Sequence, residues 1–242
     1  MRRFHNRREA GRLLATEIAR YAKCPTAIVL GLPRGGVTVA YEIAKALDLP
    51  LGICLVRKLG VPWHPELAMG AIAANGVMVL NSDVITSLGI AKADIDAVAA
   101  AERQELARRE RAYRGDRPAP DLAGKTVIVV DDGIATGSSL RAALTVLRQQ
   151  SPARIVVAVP MMPGETHALL HHETDELVCL LQPVPFFAIG AWYEHFEQVS
   201  DAEVKTLLQR ANPSELRSGL HSFRESLQLA NQPSDSVLPL RN

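Results

Sequence analysis

Apolar runs of strand length alternate with segments of helical periodicity along most of the chain. AIVLGL (27–32) is a continuous apolar run closed by Pro-Arg-Gly-Gly. Directly after the glycines, Val37, Ala40, Tyr41, Ala44 and Leu47 recur at the spacing of one helical face. LGICLVRK (51–58) then reads as a second buried strand, which completes a strand–turn–helix–strand unit. The pattern returns downstream. TVIVVDD (126–132) is a strongly β-branched strand, GIATGSS a small-residue turn, and Leu140, Ala143, Leu144 and Leu147 an apolar helical stripe. RIVVAVP (154–160), a helix near 164–172 and the strand ELVCLL (176–181) follow. Strands that are apolar on both faces belong in a parallel sheet covered by helices on both sides, so the predicted fold class is doubly wound α/β. Leu14, Ile18 and Tyr21 predict an additional helix over 8–22.

One stretch interrupts the alternation. MGAIAANGVMVLN (69–81) places two apolar runs around Asn75-Gly76, a strong hairpin signal. Residues 82–114 read as helical and end in ERQELARRERAYR, where Glu105–Arg109 and Glu110–Arg114 have the favourable i,i+4 order. A turn-rich connector, 114–124, returns to the alternation, so an insertion of a β-hairpin and a long helix is expected over about 69–120. From Pro183 the chain turns aromatic, and after Asn212 it becomes polar with little hydrophobic pattern. These shifts predict one domain over 1–211 and a loosely held polar tail over 212–242.

Composition narrows the function classes. Of 242 residues, 48% are hydrophobic and 22% charged, which excludes wholesale disorder. The 27 Lys and Arg against 26 Asp and Glu leave a net charge of +1, with no global pull toward nucleic acid or an anionic membrane. Cys24, Cys54 and Cys179 are odd in number and far apart, as expected of free thiols in a reducing compartment. The basic N-terminus has no apolar region behind it, and no stretch approaches the about 20 apolar residues of a membrane span. The expectation is a soluble cytoplasmic protein.

The chemistry concentrates in VIVVDDGIATGSSL (127–140). Asp131 and Asp132 stand at the carboxyl end of a buried strand, where open α/β sheets bind ligands. Ala135, Thr136, Gly137, Ser138 and Ser139 then offer close-approach backbone N–H groups, hydroxyls and a helix N-terminus, the makings of a phosphate cradle. Charge-assisted hydrogen bonds there contribute roughly 1.5–3 kcal/mol each. A carboxylate pair beside a phosphate pocket suits vicinal sugar hydroxyls or a hard cation such as Mg2+.

This segment resembles the phosphoribosyl-pyrophosphate signature of the type I phosphoribosyltransferases: hydrophobic strand, two acids, and a small-residue loop ending in Thr-Gly-Ser. GLPRGGVTVA, LVRKLGVPWHPELAMGAI and the segment through WYEHFEQVSD resemble a bacterial group of that family, and the likeness runs over about 5–205. The resemblance implies a five-stranded, mainly parallel sheet and a small hood, here drawn from 1–22 and 183–211, that selects the acceptor. It implies that Asp131 and Asp132 bind the ribose hydroxyls and Mg2+, directly or through water, and that one of them, Asp132 by preference, accepts a proton. The same likeness assigns the 5′-phosphate to Ala135–Ser139. It assigns the pyrophosphate to the loop Leu32-Pro33-Arg34-Gly35-Gly36, which in that family often carries a cis peptide. Arg57 and Lys58, at the end of the second strand, would reach the same diphosphate, and 60–70 would be a mobile loop closing over the site. The implied activity is transfer of the phosphoribosyl group to a nitrogen acceptor, a nucleobase first, with release of pyrophosphate. The implied partners are the donor, a small-molecule acceptor and a second copy in a homodimer, with no nucleic acid and no membrane.

Other readings of the same residues stay open at this level. The acids could cap the next helix or receive a phosphoryl group, Pro33–Gly36 could be an ordinary turn, and Arg57-Lys58 a solvated strand end. A donor-binding regulator without catalysis, or a hydrolase using water as acceptor, would need the same pocket. Gly124-Lys125-Thr126 is not a phosphate loop, because Ala119 stands where its first glycine belongs and a strand follows. His167 and His171 have metal-helix spacing without the accompanying glutamate, so they read as surface. His64 and Glu66 could touch ligand or shape a turn. Five of the eleven aromatics fall between Phe186 and Phe196, where they could stack on a planar acceptor or pack the hood.

Overall fold

The computed structural model describes residues 3–115 and 117–211; the polar tail expected over 212–242 lies outside them. A five-stranded sheet forms from β1 (Ala27–Gly31), β2 (Leu51–Ile53), β6 (Thr126–Val130), β7 (Arg154–Met161) and β8 (Glu176–Leu181), in the order β2-β1-β6-β7-β8. All its pairings are parallel. The β-branched strands divide their side chains by the two-residue period of the pleat. Val29, Ile128 and Val156 join one core with Leu14 of α1 (Arg7–Glu17) and Val37 and Ile43 of α2 (Gly35–Leu47). Ile28, Val127, Val129 and Val157 join another core, with Leu140, Leu144 and Leu147 of α5 (Ser138–Arg148) and Leu170 of α6 (Gly164–His171). Both faces are therefore covered, as the apolar strands require.

The strand order reverses between β1 and β6. There Gly31 lies level with Val130, and the Leu32 N–H donates to the Val130 carbonyl at 2.8 Å. The two turns that leave these strands thus start side by side, at the switch point where ligands of such sheets bind.

Several expectations need correction. The run 51–58 is not one strand: β2 ends at Ile53, level with Gly31, where its parallel partner also ends. Val56–Val61 forms β3, which pairs antiparallel with β4 (His64–Ala73), and β4 pairs with β5 (Met78–Leu80). Arg57 and Lys58 therefore stand on the first strand of a separate three-stranded sheet, not at the end of the second parallel strand. The segment 60–70 is strand on both sides of a tight turn rather than an irregular loop, and the insertion begins near residue 56 rather than 69. The turn at Asn75-Gly76 does connect β4 to β5, with Gly76 at φ +86°. The helical stretch 82–114 divides into α3 (Ser82–Leu88) and α4 (Lys92–Arg114), because Gly89 ends the first helix in the left-handed region at φ +61°.

The hood closes on the N-terminus. Phe4 pairs with Tyr193 as an isolated bridge, its N–H donating to the Trp192 carbonyl at 2.9 Å. Phe186, Trp192, Tyr193 and Phe196 pack with Phe4 and Met161, while Phe187 is left 84% exposed. Of the two readings of the aromatic run, packing accounts for four members and leaves Phe187. Helix α7 (Asp201–Ala211) buries Val204, Leu207 and Leu208.

Candidate active site

The two turns at the switch point touch. Gly35 and Gly36 open α2, and the Pro33–Arg34 peptide before them is cis. A Cβ on Gly35 would stand 1.9 Å from Asp132 Oδ2, and one on Gly36 would stand 2.8 Å from the Asp131 Cα and the Val130 carbonyl. Only glycines let the first turn lie so close against the two acids. Asp131 and Asp132, just past β6, are half-buried. The Asp132 N–H donates to Asp131 Oδ1 at 2.8 Å. Burial, and then the neighbouring Asp132 carboxylate, push the Asp131 carboxyl well above its usual range.

The acids are held from the hood side by Arg7, which no sequence pattern singles out, and by Tyr193 and Phe196 of the aromatic run. Arg7 Nε donates to Asp132 Oδ2 at 2.7 Å, and its Nη1 to the Glu197 carbonyl at 2.8 Å. Its guanidinium carbon lies 3.8 Å from the centroid of the Phe196 ring. The Tyr193 hydroxyl donates to the Asp132 carbonyl at 2.6 Å, and burial raises its ionisation so that it stays a donor. Nothing in the string RREAG marks Arg7, because its partners lie more than a hundred residues downstream.

Beyond the acids, Gly137 takes φ +76° and α5 begins at Ser138. Thr136 Oγ1 and Ser138 Oγ are 3.1 Å apart, and the Ala135 carbonyl is turned away to accept from Thr166 Oγ1 at 2.8 Å. Among the described residues the N–H groups of Ala135, Thr136, Gly137 and Ser139 find no protein acceptor. A turn with several free donors and a helix behind it can hold an anion.

The cations reach this turn from the second sheet. A cavity of 430 Å³ is lined by Arg57, Lys58, Glu66, Glu102 and Ser139, among others. Each cation is already paired: Arg57 Nε with Glu102 Oε2 at 2.5 Å, and Lys58 Nζ with Glu66 Oε2 at 3.3 Å. Arg34 lies 3.9 Å from Asp201, which also accepts from the Tyr113 hydroxyl at 2.6 Å and from Arg108. The structure thus brings Gly35 and Gly36 against Asp132 and Asp131, turns the Arg34 side chain toward Asp201, and places Arg57 and Lys58 around one cavity with Ser139. His64 and Glu66 sit exposed on β4. His167 and His171 stack on α6 with ring centroids 6.1 Å apart. Among the described residues no group of three or more His, Cys, Asp or Glu could hold a metal by itself.

The phosphoribosyl transferase domain family matches residues 66–194, more than half of the sequence. The chain belongs to that family. The match contains Asp131 to Ser139, whereas Arg7, Arg34–Gly36, Arg57 and Lys58 lie outside it. The crystal structure of TT1426 from Thermus thermophilus is similar with a TM-score of 0.79 and 42% identity, over 87% of this chain and 99% of that one. Proteins of two Mycobacterium tuberculosis strains, each named "Putative phosphoribosyl transferase", are 46% identical over 212 residues, or 88% of this chain. The chain spans about half the length of these curated relatives, 48%. No helix among the described residues is long and apolar enough to cross a membrane.

Proposed function

We propose that the protein transfers the phosphoribosyl group of phosphoribosyl pyrophosphate to a nitrogen acceptor, with a nucleobase as the first class to test, and releases pyrophosphate. The observation that carries this reading is the contact of the two turns. Gly35 and Gly36 lie against Asp132 and Asp131, so two candidate anion turns flank one carboxylate pair. A ligand with an anion at each end and hydroxyls between them fits such a layout.

In this reading the 135–139 turn holds the 5′-phosphate through its free N–H groups and hydroxyls. The acids hold the ribose hydroxyls and lie close to the positive charge that grows on the ring as the bond to pyrophosphate breaks. The Arg34–Gly36 turn takes the departing diphosphate, joined by Arg57 and Lys58 from the hairpin. Such a reaction asks the protein mainly for positioning and electrostatic stabilisation. The residues present also fit Mg2+. Two adjacent carboxylates, one of them with its charged form disfavoured, make a site that a divalent cation relieves, and Mg2+ is usually held by one or two carboxylates with substrate phosphates and water. When bound, the ion would supply charge to the diphosphate oxygens; Asp131 and Asp132 are the residues that would hold it. Phe187, exposed just after β8, is the aromatic free to stack on a planar acceptor. A homodimer, which family habit supports, and a cytoplasmic setting, which the three scattered cysteines support, are further parts of the proposal.

The test is donor consumption with Mg2+ against adenine, guanine, hypoxanthine, xanthine, uracil and orotate. The expected result is pyrophosphate release that depends on one of these bases and is lost in the variant carrying Asp131→Asn and Asp132→Asn. Undiminished turnover in that variant would overturn the role given to the acids. Pyrophosphate release without any base would make the protein a hydrolase, and donor binding without release would make it a regulator.

A further inference from the structure

We propose that Arg7 is a positioning residue of the donor site, one that fixes the Asp132 carboxylate for the sugar through the hood. The inference rests on the donor-site reading above and assigns a role to a residue that no motif marks.

The guanidinium is constrained on three sides. Nε is bonded to Asp132 Oδ2 at 2.7 Å, Nη1 to the Glu197 carbonyl at 2.8 Å, and the Phe196 ring covers one face at 3.8 Å. The residue is only 9% exposed, so these contacts are made in a site largely closed to solvent. A buried arginine held by a carboxylate, a carbonyl and an aromatic face has few alternative rotamers, and its planar fork transmits that rigidity to its partner. The partner is equally confined, because Asp132 Oδ2 lies where a Cβ on Gly35 would be. Its backbone carbonyl is fixed in turn by the Tyr193 hydroxyl at 2.6 Å.

The consequence is a division of labour within the acid pair. Asp131 commits Oδ1 to the Asp132 N–H, and Asp132 commits Oδ2 to Arg7. Outside the acid pair itself, no protein group among the described residues takes the second oxygen of either carboxylate. Arg7 therefore sets which edge of Asp132 faces the sugar. It also offsets the repulsion of two adjacent carboxylates before any ligand arrives. Because Arg7 starts α1, and Phe4 before it is paired with Tyr193, Arg7 joins the Tyr193 hydroxyl in tying the hood to the acid turn.

The test is calorimetric titration of phosphoribosyl pyrophosphate with Mg2+ into the wild-type chain, Arg7→Lys, Arg7→Gln, Asp132→Asn and the double variant Arg7→Gln with Asp132→Asn. Thermal unfolding of each accompanies the titrations. Arg7→Gln should weaken donor binding by about tenfold or more, the loss of one charge-assisted hydrogen bond. Arg7→Lys should fall between Arg7→Gln and wild type, since an ammonium cannot bond both oxygens while lying flat on Phe196. In the double variant the loss should be no greater than in Asp132→Asn alone, because Arg7 acts through Asp132. A merely structural arginine would give losses that multiply. Wild-type affinity in Arg7→Gln, or multiplying losses, would overturn the proposal while leaving the donor site intact. Should Arg7→Gln fail to fold, Arg7→Lys and Phe196→Leu carry the same test, and unchanged affinity in both overturns it. A wild-type chain that takes up no donor would overturn the donor-site reading and this role with it.

Discussion

Adding a single methyl group at Gly35 separates the contribution of the turn contact from that of the fold. In Gly35→Ala the new Cβ would stand 1.9 Å from Asp132 Oδ2, 2.5 Å from its Cγ and 2.9 Å from Arg7 Nε. These neighbours are side-chain ends, so the backbone can stay and the carboxylate must swing away. Swinging it away breaks the bond to Arg7 and moves the oxygen proposed to face the sugar. Loss of a charge-assisted hydrogen bond costs about 1.5–3 kcal/mol, which in donor affinity is about ten- to a hundredfold. Stability should change less, because alanine in a helix is favoured over glycine by up to about 1 kcal/mol. Gly36→Ala makes the contrast. Its Cβ would meet the Asp131 Cα and the Val130 carbonyl, both at 2.8 Å, and these are backbone atoms held by the pairing of β6 with β1. Overpacking there costs about 1–3 kcal/mol, which in a domain of this size lowers Tm by roughly 2–12 °C. The assays are donor titration calorimetry and thermal unfolding on both variants. If Gly35→Ala binds the donor as tightly as wild type, the placement of Asp132 against the first turn has no part in recognition, and the argument from turn contact fails.

Other perturbations follow from the same geometry. Asp131→Asn should raise Tm at neutral pH. The folded carboxyl titrates above its unfolded value, so the folded state binds its proton more readily, and stability falls as pH rises from the ordinary carboxylate range through the raised value; a Tm–pH series in which the variant gains nothing near neutrality refutes this. Glu105→Gln should act in the opposite sense. Hydrogen bonds from Arg108 and Arg109 hold Glu105 down at about 2, so its contribution is present above the unfolded value and lost as pH falls toward about 2, and the two unfolding curves should converge in acid. Tyr193→Phe leaves the Asp132 carbonyl without its donor and should cost about 1–3 kcal/mol in chemical denaturation. Phe187→Ala, at 84% exposure, should stay within about 0.5 kcal/mol of wild type in the same assay while raising KM for the acceptor. Chelation with EDTA should abolish turnover, and added Mg2+ should restore it.

The parts that were legible in the sequence are those whose partners lie nearby along the chain. The strands β1, β6, β7 and β8 announced themselves as short apolar runs, and the Asn75-Gly76 turn as a dipeptide. The acids and the 135–139 turn form one continuous segment, so their place at a strand end and a helix start could be read directly. The break at Cys54–Leu55 could not, because an apolar run looks the same whether one sheet or two receive it. Cys54 turns inward there, its N–H donating to the Gly31 carbonyl at 3.0 Å, and burial pushes its thiol up to about 12. Arg7 was equally hidden: a basic residue at the start of an amphipathic helix carries no local mark of a carboxylate 125 residues away.

The same contrast explains how the site is assembled. The parallel sheet fixes the acids and both turns to strand ends that lie in register, so the edge proposed to face the donor is set by β1 and β6. Besides Arg34 in the first turn, positive charge arrives from elsewhere: Arg7 from the N-terminal helix, Arg57 and Lys58 from the antiparallel sheet. Each of these three side chains is neutralised by a carboxylate, Asp132, Glu102 and Glu66 respectively. A diphosphate entering the proposed site must then compete with Glu102 and Glu66 for Arg57 and Lys58. That competition favours a ligand able to engage both turns and both cations together over a lone phosphate, since only several simultaneous contacts outweigh two existing ion pairs. Glu66 is 84% exposed on its side chain, against 23% for Glu102, so the Lys58 pair is the easier one to exchange. In the proposed reading Lys58 is therefore the cation that exchanges its carboxylate partner for a diphosphate more readily, and Arg57 the one that Glu102 holds back.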